Sequence, residues 1–205
     1  FNKLGEKARA RQALEEGLRI TGSLGEATLS AGILNNLGNL LASQEKNEEA
    51  LQAYKESVAM AGDKAPTAAP ALVNGATVCS RLGEYGEAES LLDKALPLLQ
   101  GAEESYYKAH ALINAGLLYA DLRSALPGRE TALGVQASTA LTEAVRVSQS
   151  IGDTRTLSYA YGSLGSLYEK EERFEEALKL TRGALFYAQR SQAPESLYRW
   201  HWQSG

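Results

Sequence analysis

The sequence predicts an all-α protein assembled from antiparallel helix pairs, with about ten helices in total. The first observation is apolar spacing, because Leu34, Leu37 and Leu41 lie three and four residues apart and therefore share one helical face. The second is a small residue on that face, Gly38, with Ala50 twelve residues later. The third is that this arrangement recurs at a nearly constant interval, which is typical of a stack of helical hairpins.

The repeat interval divides the chain into units. The alanines that mark successive units lie 37 or 38 residues apart, except for one step of 52 residues from Ala88 to Ala140. Gly62 and Gly152 end two of the units, since glycine readily takes the left-handed conformation after a helix. We therefore expect one solenoid over 1–205. It has a second helix of an incomplete unit at 3–27, four units at 28–64, 65–102, 103–153 and 154–191, and the first helix of a fifth unit at 192–205.

Local signals support several of the predicted helix ends. Pro70 opens the second unit, because proline is tolerated in the first turn of a helix. Asp63 and Asp153 precede predicted helices, where a carboxylate can accept hydrogen bonds from the free N–H groups. Pro97 falls late in a second helix, and we expect a kink or an early helix end there.

The third unit is longer than the others. Gly116 and Ala140 are separated by 24 residues where the other units have twelve, and Pro127 with Gly128 marks the turn. Apolar residues keep helical spacing after this turn, so we place most of the added residues in two lengthened helices that form a protruding hairpin. Two interpretations stay open, namely that this hairpin only packs on a neighbouring unit or that it offers a docking surface.

The repeat resembles the tetratricopeptide family, whose pattern is Trp-x2-Leu-Gly-x2-Tyr followed by Ala-x3-Phe and then Pro. The final proline of the pattern is absent here. The resemblance covers nearly the whole chain and implies a right-handed superhelix whose first helices line the concave side. Two units match the pattern in both helices, and they read Leu34-x2-Leu37-Gly38-x2-Leu41 with Ala50-x3-Tyr54, and Tyr161-x2-Leu164-Gly165-x2-Tyr168 with Ala177-x3-Thr181.

Composition excludes some classes of function. The net charge of the 205-residue chain is −4, without a long run of either sign, which argues against a nucleic-acid surface. No stretch reaches the roughly 20 apolar residues that cross a bilayer, so we expect no membrane partner. Cys79 is the single cysteine, which is compatible with a reducing compartment and favours the cytoplasm. Because the chain begins at Phe1 and ends within a predicted helix, we expect a longer parent protein.

A series of polar residues marks the candidate binding site. Each stands two positions before the small residue of a first helix, and an amide both donates and accepts hydrogen bonds and so can pair with a peptide backbone. The resemblance supports this interpretation, since tetratricopeptide-like proteins with this asparagine often bind peptides in that way. The alternative is that these amides only cap or bridge neighbouring helices. We call these residues the polar series: Asn36, Asn74, Asn114, Ser163 and Gln203.

Further residues are expected to face the same groove, because they lie close to the polar series on the same helices. Arg81 and Lys170 lie near the ends of these helices and could meet an acidic ligand. The sequence lacks the dense basic set with which some tetratricopeptide domains hold a terminal carboxylate. The additional groove residues are Asn35, Asn39, Thr77, His110, Tyr159 and Ser166.

The sequence shows no catalytic or metal-binding pattern. Cys79 occupies a packing position of its helix, where a buried small side chain is expected. His110 and His201 are far apart in the repeat order, and with Cys79 they form neither a metal-ligand spacing nor a Cys/His pair. We therefore predict a non-enzymatic chain without a cofactor or a metal.

The predicted function is a scaffold that binds a protein or peptide in a concave groove. The segment Leu197–Gly205 resembles the repeat region of bacterial CHAT-domain proteins, which carry a caspase-like protease domain after the repeats. This resemblance implies a recognition or regulatory arm, with an intramolecular contact to such a domain. Two alternatives stay open: a regulatory solenoid that senses a small ligand, and a self-assembly module that forms a homodimer.

Overall fold

Nine α-helices follow one another in the part of the chain that the computed structural model describes, which is residues 2–62, 65–192 and 197–200, with side chains from residue 6 onward. A short 3-10 turn, Pro66–Ala68, precedes the fourth helix. The described residues contain helices and turns only, in agreement with the predicted fold class. The helices are α1 Asn2–Leu24, α2 Ala27–Ala42, α3 Asn47–Ala61, α4 Ala69–Arg81, α5 Tyr85–Gly101, α6 Tyr106–Leu122, α7 Glu130–Ser150, α8 Thr154–Lys170 and α9 Phe174–Arg190.

The chain divides into two compact units, Phe1–Gly101 and Ala102–Gly205. In the first unit, α2 pairs with α3 and α4 pairs with α5, while α3 also packs on α4. Its core contains Leu41, Ala50, Tyr54 and Val78, all of them buried. Leu41, Ala50 and Tyr54 are repeat positions in the sequence, so the apolar periodicity translates directly into the contacts between the paired helices.

Glycines at the small-residue positions bring the paired helices close together. A Cβ atom at Gly38 would lie 2.4 Å from Cε1 of Tyr54, and one at Gly116 would lie 2.6 Å from Cγ of Leu141. Contacts this short cannot be tolerated without rearrangement of the partner side chain. Each glycine therefore admits the second helix of its pair.

In the second unit, α6 pairs with α7 and α8 pairs with α9, while α8 packs on α7. Residues 197–200 form a further helical turn, and Trp200 is completely buried against this unit. Its indole Nε1–H donates to Oγ of Ser158 at 2.9 Å, and that hydroxyl donates in turn to the carbonyl of Ala184 at 2.8 Å. A Cβ at Gly162 would lie 2.5 Å from the indole ring, so glycine is required where the tryptophan inserts.

The predicted helix ends are only partly reproduced. Asp153 caps α8 by accepting from the backbone N–H groups of Arg155 and Thr156, as expected. Asp63, the other predicted cap, lies outside the described residues. The early helix end that was one of the two expectations at Pro97 is not observed, because α5 continues through it to Gly101. A proline inside a helix forfeits one backbone hydrogen bond, which the burial of Leu96 and Leu99 on this helix offsets.

The long third unit also differs from its prediction. The added residues lie mainly in α7, which has 21 residues, and in the turn 123–129, whereas α6 has 17 residues like α8. The added part of α7 does not stand free. Its Gly134 lies against the Arg123 guanidinium and the Glu171 carboxylate, at 3.3 and 3.4 Å from its Cβ position. Because Glu171 follows α8, the extension packs on the next helix pair, as in the first of the two interpretations.

Candidate functional site

A small pocket lies between the two first helices of the N-terminal unit, α2 and α4. Its volume is about 190 Å³, enough for a single side chain of a ligand. Three of the predicted groove residues line it, together with the buried ring of Tyr54 and the guanidinium of Arg81. We call it the α2–α4 pocket, and its lining residues are Asn39, Ala42, Ser43, Tyr54, Asn74, Thr77, Val78 and Arg81.

Hydrogen bonds fix the amides at this pocket. The Asn74 Nδ2–H group donates to Oδ1 of Asn35 at 2.9 Å, and the Tyr54 hydroxyl donates to Oδ1 of Asn39 at 2.8 Å. Burial raises the pKa of Tyr54 to about 12, so its hydroxyl remains a donor. The side-chain oxygens of Asn35 and Asn39 each accept one of these bonds, and their amide N–H groups can still donate to a ligand. Asn74 can still donate through its second N–H and accept through its side-chain oxygen.

A positive charge stands at one end of the same pocket. Arg81 is the last residue of α4, and its side chain is exposed. Among the described residues it forms no ion pair. The only charged side chain in the lining is therefore a cation that can meet an acidic group of a ligand. The sequence predicted that Arg81 could meet an acidic ligand, but it did not predict that Arg81 and Asn74 line the same pocket.

The polar series is not one uniform set of side chains. Asn36 and Asn114 are exposed on α2 and α6, whereas Asn74 is half-buried and lines the α2–α4 pocket. The partner of Asn74 on α2 is Asn35, which sits one residue before the predicted Asn36. Ser163 is only 2% exposed, so its side chain is not available to a ligand in this structure. Gln203 lies outside the described residues.

The other predicted groove residues of the second unit are engaged in packing. His110 Nε2 lies 3.4 Å from Oγ1 of Thr156, which joins α6 to α8, and burial lowers the pKa of the imidazole. The Tyr159 ring meets Trp200 edge to face, with 5.8 Å between the ring centroids. Ser166 is half-buried on α8. Lys170, at the end of α8, lies 3.9 Å from the exposed carboxylate of Asp121. Through these contacts, His110 and Tyr159 take part in packing between helices.

A metal site, a reactive thiol and a membrane span each have requirements with which the described residues can be compared. Its His, Cys, Asp and Glu side chains form no group of three or more that could hold a metal ion. Cys79 is buried, and burial raises the pKa of its thiol to about 11, which disfavours the reactive thiolate. None of the described helices is long and apolar enough to cross a membrane.

Comparison with protein families identifies two segments. A tetratricopeptide repeat family matches residues 30–62, and the family of anaphase-promoting complex subunit 5 matches residues 83–171. No curated protein is significantly similar to the chain in sequence. The repeat match lies within the predicted unit 28–64, in which the polar series begins with Asn36.

Solved structures share the arrangement of helices. BtubC (BKLC) from P. vanneervenii is 20% identical with a TM-score of 0.71, and the match covers 94% of this chain and 77% of that one. MamA is 20% identical with a TM-score of 0.59, over 93% and 94% of the two chains. A Podosopora anserina protein with nearly identical TPR-like repeats is 14% identical with a TM-score of 0.63, over 93% and 90%. At these identities the similarity shows the fold alone, which is of the tetratricopeptide type.

Proposed function

We propose that this chain, a tetratricopeptide-type repeat protein by its fold, is a non-catalytic scaffold that binds an extended peptide through the α2–α4 pocket. The observation that carries the proposal is the convergence of Asn39, Asn74 and Arg81 on one pocket between two first helices. The amides supply donors and an acceptor for a peptide backbone, and the guanidinium supplies a charge. The predicted ligand is therefore a peptide segment that carries an acidic side chain.

The available groups set the scale of the interaction. Each backbone hydrogen bond to an amide contributes a net of about 0.5–1.5 kcal/mol, and a hydrogen bond to the charged Arg81 contributes about 1.5–3 kcal/mol. The bond between Asn35 and Asn74 holds one amide in place before the ligand arrives. This reduces the side-chain entropy that binding would otherwise cost.

The test is selection of peptides from a displayed library by the full chain, followed by affinity measurements on the enriched peptides. The pocket variants are Arg81→Gln and the double variant Asn39→Ala/Asn74→Ala. The matched control is Asn36→Ala/Asn114→Ala, which also removes two amides but leaves the α2–α4 pocket intact. Far-ultraviolet circular dichroism of each variant establishes equal helix content.

We expect the enriched peptides to contain Asp or Glu and to lose affinity roughly tenfold with Arg81→Gln, since a charged hydrogen bond is removed. The pocket double variant should lose more affinity than the control. If the Asn36/Asn114 control loses the peptide and the pocket variant retains it, the exposed amides carry the binding and the proposal for the α2–α4 pocket is wrong.

A role as the recognition arm of a longer protein extends this proposal. It is supported by the resemblance of residues 197–205 to the repeat region of bacterial CHAT-domain proteins. It is also supported by Trp200, whose complete burial extends the helical stack past α9. A larger protein that presents the α2–α4 pocket to a peptide would use the repeats for substrate or effector selection.

A further inference from the structure

A second and larger pocket lies on a different face of α4, between the second helices α3 and α5. Its volume is about 520 Å³. Leu51 and Val58 of α3 and Leu91 of α5 form its apolar walls, and Leu72 and Cys79 contribute from α4. We call it the α3–α5 pocket. The side chains of α4 that line it are not those that line the α2–α4 pocket, although Tyr54 of α3 lines both.

The α3–α5 pocket exists because Gly75 stands where other units carry a larger residue. The equivalent positions, one residue before the small anchor, hold Leu37 in the first unit, Ala115 in the third and Leu164 in the last. A Cβ at Gly75 would lie 3.6 Å from Cδ1 of Leu91 and 3.8 Å from Cβ of Tyr54, which are ordinary contact distances. The packing that the structure describes therefore leaves room for alanine. Glycine is less favourable than alanine inside a helix, and here it leaves unfilled the space that a leucine side chain would occupy.

Charges of opposite sign stand at the two ends of the α5 wall. Glu84 and Glu87 lie at the start of α5, and Lys94 lies seven residues after Glu87, which is about 10 Å along a helix. Lys55 of α3 lines the opposite wall, and its equivalent in the repeat register is Asp93, one residue before Lys94. These four exposed side chains form no ion pair with one another. The rim thus offers an acidic end and a basic end, separated by an apolar body.

We propose that the α3–α5 pocket binds a short apolar peptide of two or three residues with free termini. Its ammonium group meets Glu84 and Glu87, its carboxylate meets Lys94 and Lys55, and its side chains fill the space above Gly75. Three extended residues span about 10 Å, which matches the separation of the charges. The volume is in the range of small-ligand sites, about 300–1,000 Å³. This site is independent of the proposed function of the α2–α4 pocket.

The test is calorimetric titration of the full chain with the tripeptide Leu-Ala-Leu, alongside its N-acetylated and C-amidated forms. Gly75→Leu fills the pocket, and Gly86→Leu is the matched control because the position of Gly86 on α5 has no neighbouring side chain. Glu87→Gln and Lys94→Gln alter exposed rim residues and do not disturb the packing. Each charge variant is titrated with all three peptides.

We expect the free tripeptide to bind the wild type and the Gly86→Leu variant equally, and Gly75→Leu to abolish binding. Acetylation should weaken binding about tenfold in the wild type and have little further effect in Glu87→Gln. Amidation of the C-terminus should likewise weaken binding to the wild type about tenfold and have little further effect in Lys94→Gln. Equal affinity for a peptide with both termini blocked would overturn the assignment of the charged ends. Unchanged binding to Gly75→Leu, or no binding to the wild type at millimolar peptide, would overturn the site itself.

Discussion

Replacing the two glycines that face Tyr54 by alanine gives opposite predictions for stability. At Gly75 the new methyl group meets Leu91 and Tyr54 at 3.6 and 3.8 Å, so it fits without displacement. Alanine is more favourable than glycine in a helix by about 0.8–1.0 kcal/mol. We therefore expect Gly75→Ala to stabilise the protein by about 1 kcal/mol.

At Gly38 the same substitution meets the Tyr54 ring at 2.4, 2.7 and 2.9 Å. Overpacking of this kind costs about 1–3 kcal/mol, and displacement of the ring also endangers the Tyr54–Asn39 hydrogen bond, worth about 0.5–1.5 kcal/mol. After the gain in helix propensity of about 1 kcal/mol, the net expectation is a loss of about 1–3 kcal/mol. The two variants should differ in free energy of unfolding by about 2–4 kcal/mol.

The assay is urea denaturation of both variants and the wild type, followed by far-ultraviolet circular dichroism and fitted with a common slope. Gly86→Ala serves as a control for helix propensity alone, because its methyl group would have no neighbour within 4 Å. A destabilised Gly75→Ala variant would mean that α4 packs more tightly on α3 and α5 than these distances indicate. A neutral Gly38→Ala variant would refute the close contact between α2 and the Tyr54 ring.

Three further predictions concern the second unit. Burial lowers the pKa of His110 in the folded protein, so the unfolded chain binds more protons. The free energy of unfolding should therefore fall as the pH drops through the pKa of the unfolded histidine, about 6.5. His110→Gln should reduce this loss, as measured by urea denaturation at pH 7 and pH 5. Ser158→Ala removes the acceptor of the Trp200 indole N–H and should cost about 1–3 kcal/mol, seen as faster hydrogen exchange of that indole proton by nuclear magnetic resonance. The buried Ser148 hydroxyl has no hydrogen-bond partner in the described residues, so Ser148→Ala should stabilise by about 1 kcal/mol, and a lower urea midpoint would contradict this.

The helix pairs could be predicted from the sequence because each depends on local spacing. Gly38 and Gly116 mark where a second helix comes close, and both are confirmed by the side chains that face them. The sequence predicted a kink or an early end of α5 at Pro97, and the early end is not observed. Proline destabilises a helix locally, and this cost is offset by the burial of neighbouring leucines in the tertiary structure. A local sequence pattern does not contain that information.

The candidate site was harder to predict than the helices. Position relative to the small anchor selected Asn36, whereas the amide that bonds to Asn74 belongs to Asn35, one residue and about 100° around the helix away. A one-residue difference of this kind depends on how α4 lies on α2, which the periodicity of either helix alone does not determine. The α3–α5 pocket could have been anticipated from the sequence, because Gly75 stands at the position where two other units carry Leu37 and Leu164.

Tyr54 is a wall of both pockets of the first unit, and its hydroxyl is tied to Asn39. The two cavities therefore share the Tyr54 side chain as a common wall. A ligand that turns or tilts this ring in either cavity alters the shape of the other, and the resulting change in affinity must be the same in both directions. Small molecules that fill one side would then act as modulators of the other, with Tyr54→Phe as the variant that frees the ring from its tether.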